Sequence, residues 1–389
     1  MFAVFRSARK AIAPVFAALS VTALVACVPA TTGGPSINTS KPVPVALLVP
    51  GGSENTGDNI LAQSLQNAAR LAINDLEGVN IDLRIYNTAG DAGQAAAQAT
   101  AAVQDGAKII LGPVYSASAN AAAVAVAPRG VNVLSFSNNT AIAGGNLFIL
   151  GPTFDNTADR LIRFAASQGK GNVVIAHDNS EAGQVAQAAI SGAISRTSGA
   201  SLKESVPYER SQQGVIQAIP TIRSAVAGGA SSVFLTAGSE GALPLLTQLL
   251  DESGVDPSET QYIGLTRWDV PPQTLELPGV QGGWFATPDP TMTQRFSDRY
   301  AAAFGGAPHS IGGLAYDGIA AIGALVQAGN REALTASALT QGAGFQGVNG
   351  IFRLRGNGTN ERGLAVAQIQ EKRVVIISAA PRSFGGTGF

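Results

Sequence analysis

Few of the 389 residues could make or break bonds. Histidine occurs twice, at His177 and His309, and cysteine once, at Cys27. None stands at metal-ligand spacing to another His, Cys or paired acid, so no metal or other cofactor is expected. His177-Asp178 looks like half of a catalytic dyad, but the pair falls where a strand-end loop is expected and reads as one. There is no G-x-S-x-G elbow and no G-x-x-x-x-G-K-[ST] phosphate loop; Gly169-Lys170-Gly171 reads as a turn. Two carboxylates can hydrolyse a glycoside without any local motif, but no feature of the chain singles out such a pair. The sequence therefore reads as a non-enzymatic binding protein.

Its candidate binding groups lie on polar loops behind β-like runs. Gly51 and Ser53 belong to a Gly/Ser/Asn loop whose glycines let backbone approach a ligand, or simply make a turn. Tyr115 and Ser116 sit in the loop Gly112 to Ser118, which opens a helix. Ser116 or Ser118 could cap that helix. Its free N–H groups and positive dipole end suit a carboxylate. Ser137, Asn138 and Asn139 form a third loop, and Asn tolerates turn geometry without any ligand. Glu240 offers a carboxylate on the loop Gly238 to Gly241. Arg267 and Trp268 could recognise an acidic or sugar-like group, Arg by its planar fork and Trp by stacking.

The elements around these loops alternate. Val43 to Val49, Ile81 to Tyr86, Lys108 to Leu111 and Val131 to Leu134 read as strands. Ile60 to Leu76, Ala92 to Gln104 and Ala119 to Ala127 read as helices by apolar spacing. The order repeats with strands Asn172 to Ala176, Ser231 to Thr236 and Gln261 to Leu265. Helices Gln184 to Ser195, Gly214 to Ala227 and Leu243 to Glu252 lie among them. Alternating β and α predicts an α/β fold of two doubly wound parallel-sheet lobes. Ligands of such sheets sit beyond the carboxyl ends of the strands, where these loops are.

The N-terminus carries Arg6, Arg9 and Lys10, then an uncharged run from Ala11 to Ala26. The run is too short for a span of about 20 residues and reads as a secretory signal peptide over 1–26. Leu24-Val25-Ala26-Cys27 resembles a bacterial lipobox, with Cys27 the lipidated residue. A tether, 27–42, follows, rich in Thr, Gly, Ser and Pro. Val28 after Cys27 favours the outer membrane slightly. Basic residues number 25 against 26 acidic, and no basic block follows the tether, so nucleic acid is not an expected partner.

From about Val43 to Ser378 the chain resembles the type I periplasmic binding proteins of the leucine/isoleucine/valine-binding branch. The likeness rests on LAQSLQNAARLAINDLEGVNIDLRIYNTAGDAGQAAAQA at 61–99, IILGPVYSASA at 109–119, VVIAHDNSEAGQ at 173–184 and LAYDGIAAI at 314–322. The run GVNGIFRLRGNGTNERGLAVAQI at 347–369 resembles the penicillin-binding protein activators, lipoproteins of this fold that stimulate peptidoglycan synthases by contact.

The resemblance implies three hinge crossings, near Gly151 to Asp155, Gly282 to Pro288 and Gly344 to Gly350. Lobe 1 would then comprise 43–152 with 286–346, lobe 2 would comprise 153–285 with 347–378, and 379–389 would be a loose tail. It implies that Ser116 holds a ligand carboxylate, that the Ser137 loop serves the same ligand, and that Tyr316-Asp317 lines the cleft at a helix start. It also shows departures. Ala182 stands where amino-acid receptors carry an aromatic residue. Thr266, followed by Arg267, stands where they carry the Glu that holds the ligand ammonium. The main functional expectation is a lipid-anchored regulator of a peptidoglycan synthase. The alternative is the receptor of an ABC permease that imports branched-chain amino acids, amides or related solutes.

Overall fold

The computed structural model describes residues 34–385. The signal peptide, the lipobox Cys27 and residues 386–389 lie outside them.

Strands in the first half are short apolar runs, and their two-residue period splits each run between two cores. In β1 (Val43–Val49), Val45, Leu47 and Val49 enter one core while Ala46 and Leu48 enter another. Around β1 lie β2 (Ile81–Asn87), β3 (Ile109–Leu111), β4 (Asn132–Ser135) and β5 (Leu147–Ile149), all parallel, in the order β2-β1-β3-β4-β5. Between them run α1 (Thr56–Asn74), α2 (Ala92–Gln104) and α3 (Ser116–Val126). Alanines on α2 and α3 seal one face, where small side chains let helix approach sheet closely.

The second sheet gathers β6 (Asn172–Asp178), β7 (Ser201–Tyr208), β8 (Ser232–Leu235), β9 (Gln261–Gly264) and β10 (Trp284–Thr287). Helices α4 (Phe154–Ser167), α5 (Glu181–Arg196), α6 (Gln212–Ala227) and α7 (Leu243–Glu252) cover it. After β10 the chain returns to the first lobe as α8 (Pro290–Phe304) and α9 (Gly313–Gln327), whose apolar faces close the core against α1. A short α10 (Ala336–Leu339) leads to the three-stranded sheet β11 (Phe345–Gly347), β12 (Gly350–Leu354) and β13 (Asn360–Arg362). Finally β14 (Ala365–Gln370) and β15 (Arg373–Ser378) complete the seven-stranded order β15-β14-β10-β9-β8-β6-β7.

Two lobes of α/β build are thus present, and the departures from all-parallel sheets are the small sheet β11-β12-β13 and the strands β14 and β15, all with antiparallel pairings. Strand β14 runs antiparallel to β10, and Thr287 faces Ala365 across the pair. The chain comes back to the sheet at the point where it left, so it must run the other way.

Three boundaries differ from the sequence reading. The third crossing does not fall at Gly344 to Gly350. Phe345, Phe352 and Leu354 belong to the first core and Leu364 to the second, so the chain crosses after Arg362. Residues 34–42 are not wholly a free tether, because Ile37 is buried in the first core and its N–H bonds Arg331 O at 2.9 Å. The last described residues are not loose either: Ala380 is buried, and Arg353 stacks 4.5 Å above the ring of Phe384.

Side chains stitch the first and third crossings together. Asn360 Nδ2 donates to Ile149 O at 2.9 Å and Gly151 O at 2.8 Å. Arg362 Nε donates to Leu150 O at 3.1 Å, and Asn156 Nδ2 to Asn360 O at 3.1 Å. Each bond satisfies a buried group that would otherwise cost about 1–3 kcal/mol.

Candidate functional site

Strands β5 and β10 both lead into crossings, so the carboxyl edges of the two sheets border the interlobe region. Among the described residues eight helices, α1 to α8, follow strands directly, and their N-termini differ in one respect. Side chains cap α1 (Asn55), α2 (Asp91), α4 (Thr153), α5 (Ser180), α6 (Ser211) and α8 (Asp289). Helix α3 in the first lobe and α7 in the second have no side-chain cap. A capped end uses its N–H groups internally, whereas an uncapped end leaves them for solvent or a ligand.

At α3 the sequence expectation of a serine cap fails. Tyr115 is the N-cap residue and makes no cap bond; Ser118 Oγ donates instead to Gly90 O at 3.1 Å. Ser116, half-buried in the first helical turn, has no hydrogen bond through its hydroxyl. The Tyr115 hydroxyl donates to Asp58 Oδ1 on α1. Its pKa is pushed up to about 12, first by that bond and then by burial. The tie fixes the two helix starts relative to each other.

The loops beside α3 are rigid by their own bonds. Gly51 has no room for a side chain, since an added Cβ would stand 2.4 Å from Asn87 Oδ1. Gly52 has a φ of +80° and donates its N–H to Asn59 Oδ1 at 2.9 Å. Ser53 Oγ accepts from Asn55 N at 3.1 Å. Ser137 is buried, and its Oγ accepts from Asn139 N at 3.1 Å. Asn138 is exposed; Asn139 accepts from Ala141 N at 2.9 Å and starts a 3₁₀ turn. So Ser53, Ser137 and Asn139 shape turns, and the ready donors of the first lobe are the N–H groups of α3 with Ser116.

Across the hinge, a cavity of about 470 Å³ opens at the carboxyl ends of β6, β7 and β8. Asp178, Tyr208, Arg210 and Thr236 line it, along with the uncapped start of α7. Tyr208 is buried, and its hydroxyl is pushed up to about 12 by burial and then by the Asp178 charge. Sequence reasoning does not single out Tyr208, Arg210 or Thr236 for a site, and it considers Asp178 only as half of a dyad. Strand β7 is an edge strand whose first four residues face solvent, so it lacks the apolar run that marks the others.

The structure scatters other expected site residues. Trp268 is fully buried, and its indole fills the space where Gly264 or Gly283 would carry a side chain. It is a core residue and cannot stack on a sugar. Arg267 is exposed, with Nε on Asp269 Oδ1 at 2.9 Å, so its charge is already met and the Arg267-Trp268 pair does not act together. Thr266 Oγ1 is buried without a partner. Glu240 is exposed on its loop and does not line the second-lobe cavity. Asp317 does not line a cleft: it is fully buried in α9, accepting from Val348 N at 2.7 Å and Arg362 Nη1 at 3.1 Å. Helix α9 begins at Gly313, so Asp317 sits a turn inside and faces the third crossing. Nor is His177-Asp178 a dyad, since Asp178 Oδ1 accepts from Ser180 N at 2.9 Å and His177 Nδ1 lies 3.2 Å from the Asp178 carbonyl.

The periplasmic binding protein profile matches residues 42–373 of this chain. The chain belongs to that family. Membership implies a periplasmic location, and its members bind solutes rather than transform them. Solved structures agree on the fold. A branched-chain amino acid ABC transporter protein from Rhodospirillum rubrum is 21% identical, covers 87% of this chain and 100% of its own, and superposes with a TM-score of 0.72. A substrate-binding protein from Desulfitobacterium hafniense, solved with Leu, is 18% identical over 87% of this chain and 100% of its own, at 0.62. A solute-binding protein from Rhodopseudomonas palustris, solved with 3,4-dihydroxybenzoic acid, is 17% identical over 87% and 96%, at 0.57. No curated protein matches this periplasmic binding protein.

Proposed function

We propose that this periplasmic binding protein is the receptor of an ABC importer, and that its interlobe cleft takes a small solute bearing a carboxylate. The observation that carries the reading is the uncapped start of α3, where N–H groups and the Ser116 hydroxyl are left without protein partners. Leucine and 3,4-dihydroxybenzoate, bound by two structural relatives, differ in size and polarity but share a carboxylate. A helix N-terminus answers that one common group.

The other end of the solute would meet Asp178, Tyr208, Arg210 and Thr236. Asp178 is the carboxylate available to an ammonium in place of the Glu that Thr266 replaces. Gly51, Asn138 and Asn139 flank the carboxylate end.

The regulator reading draws on the run 347–369. That run folds as β12, β13 and the third crossing, and Asn360 and Arg362 within it bind backbone of the first crossing. Hinge construction accounts for those residues without a protein partner. Receptor and regulator alike would be held to a membrane through Cys27.

The test is thermal unfolding against branched-chain amino acids, their amides, aromatic carboxylates and muropeptides. A bound solute at about 1,000 times its dissociation constant adds about 4 kcal/mol. A shift with a carboxylate that its amide does not reproduce supports the reading. A panel with no response to any carboxylate, beside capture of a peptidoglycan synthase, overturns it.

A further inference from the structure

The hinge holds a second cavity, of about 390 Å³, apart from the strand-end loops. Its walls come from both lobes: α4 and α5 on one side, the β12–β13 hairpin on the other. Five guanidinium groups line it against three carboxylates. Three of the five are matched. Arg196 pairs with Asp159 at 2.8 Å, Arg355 with Glu361 at 2.9 Å, and Arg362 with Asp317, outside the cavity, at 3.1 Å.

Arg160 and Arg163 are not matched. Arg160 Nε donates to Leu364 O at 2.7 Å and Nη2 to Ser378 Oγ at 2.7 Å, both neutral acceptors. Arg163 has neither hydrogen bond nor ion pair among the described residues. The third acid, Asp155, has no ion pair and lies in the first turn of α4, where the helix dipole favours it. One helical turn apart, Arg160 and Arg163 repel. Burial first, and then the Arg163 charge, holds the Arg160 guanidinium below its usual pKa. The cavity therefore keeps two like charges close together, partly out of water, and neither is in an ion pair with any of the three carboxylates that line it.

We propose that the hinge cavity is a second ligand site, taking a small oxyanion of the phosphate or phosphomonoester class between Arg160, Arg163 and Arg355. Guanidinium forks match phosphate oxygens in pairs, which a single ammonium cannot do. The space exceeds a bare phosphate and leaves room for an ester group. Such an anion bridges the lobes, since Arg355 stands on the first-lobe hairpin and Arg160 and Arg163 on a second-lobe helix.

The full chain is titrated with inorganic phosphate and with glycerol phosphate by calorimetry at constant ionic strength. One saturable site is expected, absent when chloride replaces the probe. Arg163→Ala should weaken it about tenfold or more, the worth of one charge-assisted hydrogen bond. Arg163→Lys should recover part of the loss. Arg163 supports no bond of the fold, so its variants should stay folded; Arg355→Gln is the second variant. The proposal fails if neither probe gives saturable heat, if chloride reproduces it, or if both Arg163→Ala and Arg355→Gln bind phosphate unchanged. A lipid headgroup carries the same chemistry. Phosphate-sensitive binding to phosphatidylcholine vesicles only when they contain phosphatidic acid would assign a headgroup, and phosphate binding without vesicle binding a free anion.

Discussion

Asp317 and Arg362 form an ion pair with almost no access to water; Asp317 also accepts from Val348 N, and Arg362 also donates to Leu150 O at the first crossing. Removing one partner of such a pair leaves a buried charge alone, at a cost of about 3–5 kcal/mol. Asp317→Ala is expected to lower the unfolding free energy obtained from urea titration by that much, while a solute that still binds the folded fraction keeps its affinity. Glu361 behaves differently. Burial alone would raise its pKa, but hydrogen bonds from Arg355 and Arg353 outweigh burial and lower it from 4.5. A lowered carboxylate stabilises the fold fully above its unfolded pKa, and that contribution is lost as pH falls through the folded one. Glu361→Gln should therefore flatten the fall of the unfolding midpoint below about pH 4.5, measured by thermal scans from roughly pH 6 to pH 3. Ser116→Ala tests the cleft. It should weaken a carboxylate ligand about fivefold, near 1 kcal/mol, and leave stability almost untouched, because the hydroxyl makes no bond within the protein. Residues were read unevenly from sequence. Ser116 and Tyr115 were visible because a Gly-Pro loop behind a strand marks a helix start, although the serine cap expected there is absent. Trp268 and Asp317 were misread because what decides their roles, Gly264 and Gly283 in one case and Arg362 in the other, is packing that only the folded chain brings together.

At the scale of elements, the interiors were legible and the joints were not. Apolar period marks β1, β3 and α1, whereas α4 and α8 stand just beyond crossings and the sequence reading passes over them. The third crossing was expected at a glycine-rich stretch. In the structure it is made by polar side chains, Asn360 and Arg362, bonded to carbonyls about two hundred residues away. Glycine content signals a permissive backbone, but it does not say which backbone is held. Asn360→Ala should cost about 2–4 kcal/mol, because two buried carbonyls lose their donor, and urea unfolding reads this directly. Gly151→Ala should also destabilise, since an added Cβ would stand 2.4 Å from Ser137 O and neither backbone can yield alone.

For the whole molecule, two lobes joined by three crossings form a body that can close on a solute by hinge motion. A bound carboxylate should shrink the radius of gyration seen by small-angle scattering, and Ser116→Ala should shift the concentration at which it does so without changing the end point. The likeness of both lobes to one architecture was readable from the alternation of β and α, because that pattern is local and repeats. The pairing of β14 with β10 was not, as it joins segments with most of the first lobe's second half between them.

The return of the chain beside its own point of departure bears on how the protein is made. While the ribosome has delivered only residues up to β10, the second sheet lacks β14 and β15, and the first lobe lacks the helices α8 and α9 that close its core. Both halves then expose unpaired strand edge and apolar surface that only the final stretch of polypeptide covers. Neither can therefore be completed until the last part of the chain has been made.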